Sequence, residues 1–253
     1  MSSRKILITG ATGKIGQVFV RHFLEAGDHV IAVGRSQDAL TSLAAEKVRH
    51  GQTLSTIQVD LLSPNIGPVI VQALSKLGQM PDCLINNARD VAHLQIGEDG
   101  LVARQDFINE FTLDVVIPYE LVMALSQARG SRLRAVINIG SQYGTVAPNL
   151  NLYTNPLRES PLQYGVSKAA LTQLTKELAV RLAKCGVRVN CVAFGGVEGR
   201  VDEEFKKRYA ELCPLGRMLG EHELAGPVDL LLSDSASGVT GHVMMVDGGW
   251  SIW

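Results

Sequence analysis

The sequence has no surplus of charge, no hydrophobic run of membrane length and no clustered cysteines, and each lack removes a class of function. Lysine and arginine number 24 against 25 aspartates and glutamates, a formal net charge of −1. A balanced surface has no field to collect a nucleic-acid backbone or an anionic membrane, so neither partner is expected. No apolar stretch approaches the ~20 residues that span a bilayer, and the opening MSSRKILITG enters an apolar run too early for a signal peptide. A cytoplasmic protein is expected. Cys83, Cys185, Cys191 and Cys213 show no CxxC spacing and no neighbouring histidine cluster, which predicts core thiols and no metal site. Repeats, low-complexity tracts and linkers are also missing, so residues 1–253 are expected to form one domain.

What is present is an alternation of apolar runs with helical patterns. KILI, HVIAVGR, STIQVDL, DCLINNA, RAVINIGS, VRVNCVAF and VMMVDGG read as buried strands with helices between most of them. That order predicts an α/β fold, a single doubly wound parallel sheet with helices on both faces. Two stretches break the pattern. Residues 142–163 carry prolines and asparagines without periodicity and read as a long, functional loop. Val201, Phe205, Tyr209 and Leu212 fall on one face of a charged helix, VDEEFKKRYAEL, which reads either as a solvated surface helix or as a lid.

Chemistry is suggested first by LITGATGKIG. Glycines at Gly10, Gly13 and Gly16 follow a strand pattern and precede a helix pattern that stops at Gly27. Strand, glycine loop and helix in that order aim free N–H groups and the positive end of a helix dipole at whatever lies over the loop, a cradle for a pyrophosphate. A second signal is YGVSK. Tyr164 and Lys168 lie one turn apart on a helix entered through Ser160-Pro161 and stopped at Gly186. A phenol ionises near pH ~10, and a neighbouring ammonium favours the phenolate, so the pair makes a general acid/base. The spacing alone fits an exposed helical pair better, and the surrounding motifs reverse that.

TGATGKIG, Asp60, INNA at 85–88, INIGS ending at Ser141, YGVSK, VRVN, FGGVEG and TGHVMMVDGG occur in the order of the short-chain dehydrogenase/reductases, and the chain resembles that family throughout. The resemblance implies a Rossmann-type oxidoreductase interconverting a ketone and a secondary alcohol with NADP or NAD. Tyr164 would exchange the hydroxyl proton, Lys168 would support it and hold the nicotinamide ribose, and Ser141 would bind the substrate oxygen. Asp114 stands where the family has a catalytic asparagine whose carbonyl holds a relay water. Cofactor contacts are implied for Gly10, Thr12, Gly13, Lys14, Ile15, Gly16, Arg35, Asp60, Leu61, Asn87, Ala88, Gly195 and Val197, besides Tyr164 and Lys168. The resemblance also implies a homodimer or homotetramer, and the apolar terminus Trp250-Ser251-Ile252-Trp253 adds a patch to bury.

Several residues depart from the family pattern. Lys14 gives the GxxGxxG spacing of the branch that epimerises or dehydrates nucleotide sugars, whereas the ending VDGGWSIW is that of the single-domain branch. The family's NNAG is NNAR, so Arg89 reads as a clamp on a substrate anion or hydroxyl, or as a rim arginine paired with Asp90. FGGVEG lacks the family's proline at Phe194 and its threonine near Gly199. Gly34 replaces the acid that binds the ribose of NAD and Arg35 follows it, favouring a 2′-phosphate and hence NADP. The loop SQYGTVAPNLNLYTNP resembles flagellin-modification and surface-sugar oxidoreductases. Its Tyr143, Asn149, Asn151, Tyr153 and Asn155 suit a sugar, a small-molecule substrate to which Tyr153, Arg89 and Ser141 would bind. The competing readings are a catalytically retired cofactor-binding regulator and a nucleotide-sugar epimerase or dehydratase.

Overall fold

The computed structural model describes residues 3–48, 53–199 and 201–253. Seven strands form one parallel sheet: β1 Lys5–Thr9, β2 His29–Gly34, β3 Leu54–Gln58, β4 Cys83–Asn86, β5 Ala135–Ser141, β6 Arg188–Phe194 and β7 Val243–Val246. Their order is β3-β2-β1-β4-β5-β6-β7. The chain starts in the middle, winds outward to β3, then returns to β4 on the other side of β1. At that reversal the connections leave β1 and β4 toward opposite faces, opening a crevice at the carboxyl ends of the strands.

Alternation along the strands divides the core in two, because successive side chains of a strand point to opposite faces. Ile6, Ile8, Val30, Ala32 and Ile137 pack with Phe19 and Phe23 of α1 (Lys14–Glu25) and with Val228 and Leu231 of α9 (Ala225–Leu232). Leu7, Ile31, Val33, Leu84 and Val136 pack on the other face against α3 (Ile66–Leu77), α5 (Ile117–Gln127) and α7 (Leu162–Leu182). A buried polar ladder crosses the second layer: Asn86 Nδ2 donates to Asn138 Oδ1 at 2.8 Å, and Asn138 Nδ2 donates to Thr175 Oγ1 at 2.9 Å. The asparagines of INNA and INIGS thus lock β4, β5 and α7 together.

Helix α4 (Arg104–Phe111) does not run straight into α5. A π-helical turn, Thr112–Val116, intervenes and carries Asp114; such wide turns re-aim side chains and are frequent at functional sites. The long irregular stretch before α7 is more ordered than its composition predicts. It holds two single-turn 3₁₀ helices, Gln142–Gly144 and Leu150–Leu152, and the short helix α6, Pro156–Glu159. Serine and asparagine side chains cap the two turns, Ser141 accepting from the Tyr143 N–H and Asn149 from the Asn151 N–H.

Two expectations require correction. Cys185 is exposed at the end of α7, while the other three thiols are buried. Helix packing decides this: Cys185 lies in the 3₁₀ turn that leads out to Gly186. Trp250 is buried as well, so the apolar terminus is not uniformly exposed. Its indole stacks on Tyr209 of α8 (Glu203–Leu212) at 4.4 Å between ring centroids, which leaves only Ile252 and Trp253 in solvent, 74% and 78% exposed.

Candidate active site

The crevice is one cavity of ≈ 520 Å³ that runs from the glycine loop to Ser141, Tyr164 and Lys168. At its entrance, β1 turns at Gly10 with φ +62°, a conformation that glycine adopts without strain. A Cβ on Gly16 would overlap the Gly10 carbonyl oxygen, and one on Gly10 would sit 2.7 Å from Ala88 Cα. Gly13 caps α1 without any side-chain bond, so the first N–H groups of the helix face the cavity unscreened. Asn87 shapes the loop: its Nδ2 donates to the Thr9 carbonyl at 3.1 Å and to that of Gly10 at 3.3 Å. Thr9 Oγ1 in turn accepts from the Asn87 and Ala88 N–H groups. Thr12, Ile15, Asp60, Leu61, Gly195 and Val197 line the same cavity.

The candidate cofactor cations Arg35 and Lys14 are already engaged. Arg35, at the end of β2, forms an ion pair with Asp90. The Ala92 N–H and Arg35 hold the Asp90 carboxyl below its ordinary range against the opposing effect of its burial. Lys14 donates to the Glu198 carbonyl and lies 3.5 Å from Glu221, which ties the glycine loop to the segment after β6. Asp90 thus pairs with Arg35 and not with Arg89. The Arg89 guanidinium lies instead over the Tyr164 ring, 4.4 Å from its centroid.

Helix α7 places Tyr164 and Lys168 on one face, with Lys168 Nζ 5.7 Å from the Tyr164 ring centroid. The lysine is buried, donating to Asp114 Oδ1 at 2.8 Å and to the Ile139 carbonyl at 3.0 Å. Burial alone would lower its pKa, but the charges of Asp114 and Tyr164 and the hydrogen bond to Asp114 outweigh it and hold the ammonium above the ordinary lysine value. The aspartate thus reaches the lysine directly through its side chain, a contact that the resemblance does not imply. Ser141 ends β5 with its Oγ on the Tyr143 N–H at 3.2 Å.

The far wall is built by the two stretches that broke the strand–helix pattern. Tyr143 and Tyr153 line the cavity with their hydroxyls 3.1 Å apart, whereas Asn149, Asn151 and Asn155 lie outside its lining. Val201, Phe205 and Tyr209 also face the cavity. Tyr209 is buried, accepting from the Gly196 N–H at 2.9 Å and donating to Gln142 Oε1 at 3.2 Å, so α8 is docked and only its charged face is solvated. Glu110 is the group that sequence reasoning missed. It is fully buried on α4, within the influence of Asp114, Lys168 and Arg89, and neither carboxylate oxygen has a hydrogen-bond partner among the described residues. Its signal was available: Glu110, Asp114 and Ile117 share the spacing of a buried helical stripe.

A family model described as enoyl-(acyl carrier protein) reductase matches residues 10–251. The 3-oxoacyl-[acyl-carrier-protein] reductase FabG of Aquifex aeolicus is 31% identical, the match covering 96% of this chain and 95% of that protein. The chain belongs to the short-chain dehydrogenase/reductase family, oxidoreductases that use NAD or NADP. L-xylulose reductase of Bos taurus is 31% identical over 99% of this chain and 97% of its own. Post-translational flagellin modification protein A of Campylobacter coli is 26% identical over the full length of both. Among solved structures, a short-chain dehydrogenase from Leptospira borgpetersenii with bound NAD+ superposes with a TM-score of 0.82 at 27% identity, covering 98% of this chain and 93% of that one. RhlG of Pseudomonas aeruginosa, in complex with NADP, gives 0.84 at 27% identity, covering 99% and 97%. This dehydrogenase/reductase has no group of three or more histidine, cysteine, aspartate or glutamate side chains placed to hold a metal among its described residues. None of its described helices is long and apolar enough to cross a membrane.

Proposed function

We propose that this protein interconverts a ketone and a secondary alcohol, with Tyr164 exchanging the hydroxyl proton and a nicotinamide cofactor held in the ≈ 520 Å³ cavity. The observation that carries the reading is the continuity of that cavity from the glycine loop to Tyr164, Lys168 and Ser141. The residues fit a dinucleotide: Gly10 and Gly16 allow a loop so tight that a Cβ on either would strike the backbone of Ala88 or of Gly10, and the N–H groups at the start of α1 face the cavity this loop borders. When bound, the cofactor supplies or accepts the hydride.

The chain's own residues do the rest. Ser141 Oγ and the Tyr164 hydroxyl hold the substrate oxygen, and charge developing on it during reduction is stabilised by about 3 kcal/mol per well-placed donor. Tyr164 then gives up its proton, and the Lys168 ammonium stabilises the phenolate left behind. Asp114 and the Ile139 carbonyl orient that ammonium. Gly10, Thr12, Gly13, Lys14, Ile15 and Gly16 receive the pyrophosphate, while Asp60, Leu61, Asn87, Ala88, Gly195 and Val197 line the remaining cofactor space.

NADP is the cofactor we assign, because Gly34 removes the competing carboxylate and Arg35 supplies the phosphate partner. The substrate is a polyhydroxylated or anionic carbonyl compound: Arg89, Tyr143 and Tyr153 line the cavity, and one relative is named for the reduction of L-xylulose. We place the protein in the cytoplasm as a homodimer or homotetramer.

The test is NADPH oxidation against a panel of ketones, keto-sugars and keto-acids. Tyr164→Phe should lose at least ~100-fold in turnover, since a positioned acid/base contributes that much, while binding NADPH with unchanged fluorescence enhancement. Binding of NADPH without turnover of any substrate would identify a cofactor-binding regulator instead.

A further inference from the structure

Glu110 lies one helical turn before Asp114, and α7 presents Tyr164 one turn before Lys168. Both helical segments follow parallel strands. Glu110 and Tyr164 share two cationic neighbours: Arg89 lies over the Tyr164 ring and Lys168 Nζ is 5.7 Å from its centroid, and both also act on the Glu110 carboxyl. No part of Glu110 is exposed, and neither of its oxygens has a hydrogen-bond partner among the described residues. Two buried polar atoms on the facing side of α7, Gln163 Oε1 and Ser167 Oγ, also lack partners. Asp114 Oδ2, one turn further on, is a third. An ionised carboxylate in such a place has neither water nor a donor to stabilise it, whereas the neutral acid costs far less.

We propose that Glu110 is a positioning residue of the reaction, a buried carboxylic acid whose ionisation works against negative charge on the Tyr164 oxygen. The inference rests on Tyr164 being the acid/base. The charged groups acting on Glu110 are Asp114 from the adjoining turn, Arg89 and Asp90 from the loop after β4, and Lys168 from α7. Burial raises its pKa most and Asp114 raises it further, while Arg89 and Lys168 pull the other way, leaving it at about 7. Below that pH Glu110 is neutral, and the Lys168 ammonium and Arg89 guanidinium face the single carboxylate of Asp114. Above it, Glu110 releases its proton, and a second carboxylate draws on the same two cations that would otherwise stabilise the Tyr164 phenolate. A unit charge about 10 Å away at an effective dielectric of about 20 changes a proton equilibrium by roughly tenfold. Alcohol oxidation, which needs the phenolate, is the direction that loses.

The experiment compares wild type with Glu110→Gln, the uncharged isostere, from about pH 6 to about pH 8. The expected result is equal kcat/KM for alcohol oxidation at the acid end and roughly tenfold higher kcat/KM for the variant at the alkaline end. NADPH affinity should stay within twofold, a split that loss of packing alone would not produce. In parallel, infrared difference spectra of the wild-type protein should show a protonated-carboxyl band that disappears with a midpoint near 7 and is missing from Glu110→Gln. Parallel pH profiles in the two proteins, or a wild-type spectrum without that band, would overturn the proposal. If Glu110→Gln does not fold, the wild-type infrared titration decides alone. If the wild-type protein oxidises no alcohol, the reading of Tyr164 fails, while the infrared titration still accepts or rejects a neutral Glu110.

Discussion

The Asp114 carboxylate meets the Lys168 ammonium at 2.8 Å, with the aspartate side chain 2% and the lysine side chain 7% exposed. Two charges so far from water are tolerated because each supplies what the other lost, and the Ile139 carbonyl takes a further ammonium proton. The π-helical turn at Thr112–Val116 makes the pair possible by turning Asp114 toward α7.

Removing one partner should therefore cost more than the pair contributes. Asp114→Ala leaves a buried ammonium unpaired and is expected to lower stability by about 3–5 kcal/mol, read from urea denaturation. Asp114→Asn keeps an acceptor oxygen but not the charge. It should recover most of that stability while letting the lysine pKa fall, visible as an acid-shifted alkaline limb in the pH–rate profile. Equal stability of the alanine variant and wild type would show that Lys168 is hydrated.

Glu110 adds a stability signature of the opposite sense. Its folded-state pKa of about 7 lies above the ordinary 4.5, so between these values the unfolded chain has released a proton that the folded chain still holds. Stability contributed by this group is full below pH 4.5 and is lost as pH rises toward 7. At most about 3 kcal/mol is involved. Glu110→Gln should lack this decline and be the more stable protein at about pH 8, as read by urea midpoints across the range. A wild-type curve with the same pH dependence as the variant would refute the assignment.

The sheet and the glycine loop were legible in the sequence because both are local: period-two burial, glycine spacing and the helix that follows need no distant partner. Tyr164 and Lys168 were legible for the same reason, being one turn apart. Arg35 was only half legible. Its position after β2 shows in the sequence, but its partner Asp90 is 55 residues away and meets it only because β1 separates β2 from β4 in the sheet. Arg89 was misleading in the complementary way, since Asp90 is its neighbour in sequence yet its guanidinium turns to Tyr164. Glu110 went unseen although its spacing from Asp114 and Ile117 places it on a buried stripe, because an acid on a helix ordinarily reads as solvated and its packing against α7 is a distant contact.

At the carboxyl end, Trp250 is satisfied within the chain by Tyr209, but Ile252 and Trp253 are not. Trp253 Nε1 donates to the Leu212 carbonyl at 3.2 Å, which fixes the indole against α8 with most of its surface still in water. A fixed apolar surface is a better interface than a mobile one, because ordering it costs little on association. Ile252→Ser with Trp253→Ser is expected to convert the proposed homodimer or homotetramer to a smaller species by light scattering, without shifting the far-ultraviolet circular dichroism. A wild-type monomer at micromolar concentration would contradict this.

The cofactor preference turns on what Arg35 does when a 2′-phosphate arrives. Its guanidinium is held by Asp90, so the cation is pre-positioned at the end of β2, but part of its charge is already spent on a carboxylate. The 2′-phosphate must share or displace that carboxylate, which lowers the gain below the 1.5–3 kcal/mol typical of an unshared charge-assisted bond. NADPH should still be preferred over NADH, by about tenfold. Asp90→Asn frees the guanidinium and removes a repelling charge, and should widen the preference toward a hundredfold in kcat/KM. The reverse change is accessible too. A Cβ at Gly34 meets Thr12 side-chain atoms at 3.3–3.4 Å, a contact the threonine can relieve by a few tenths of an ångström, so Gly34→Asp is accommodated. Combined with Arg35→Ala, it supplies an acceptor for the ribose hydroxyl and deletes the phosphate partner, and the double variant should prefer NADH. Should Asp90→Asn leave the ratio of kcat/KM values unchanged, Arg35 does not touch the 2′-phosphate, and the assignment of NADP would have to rest on other residues.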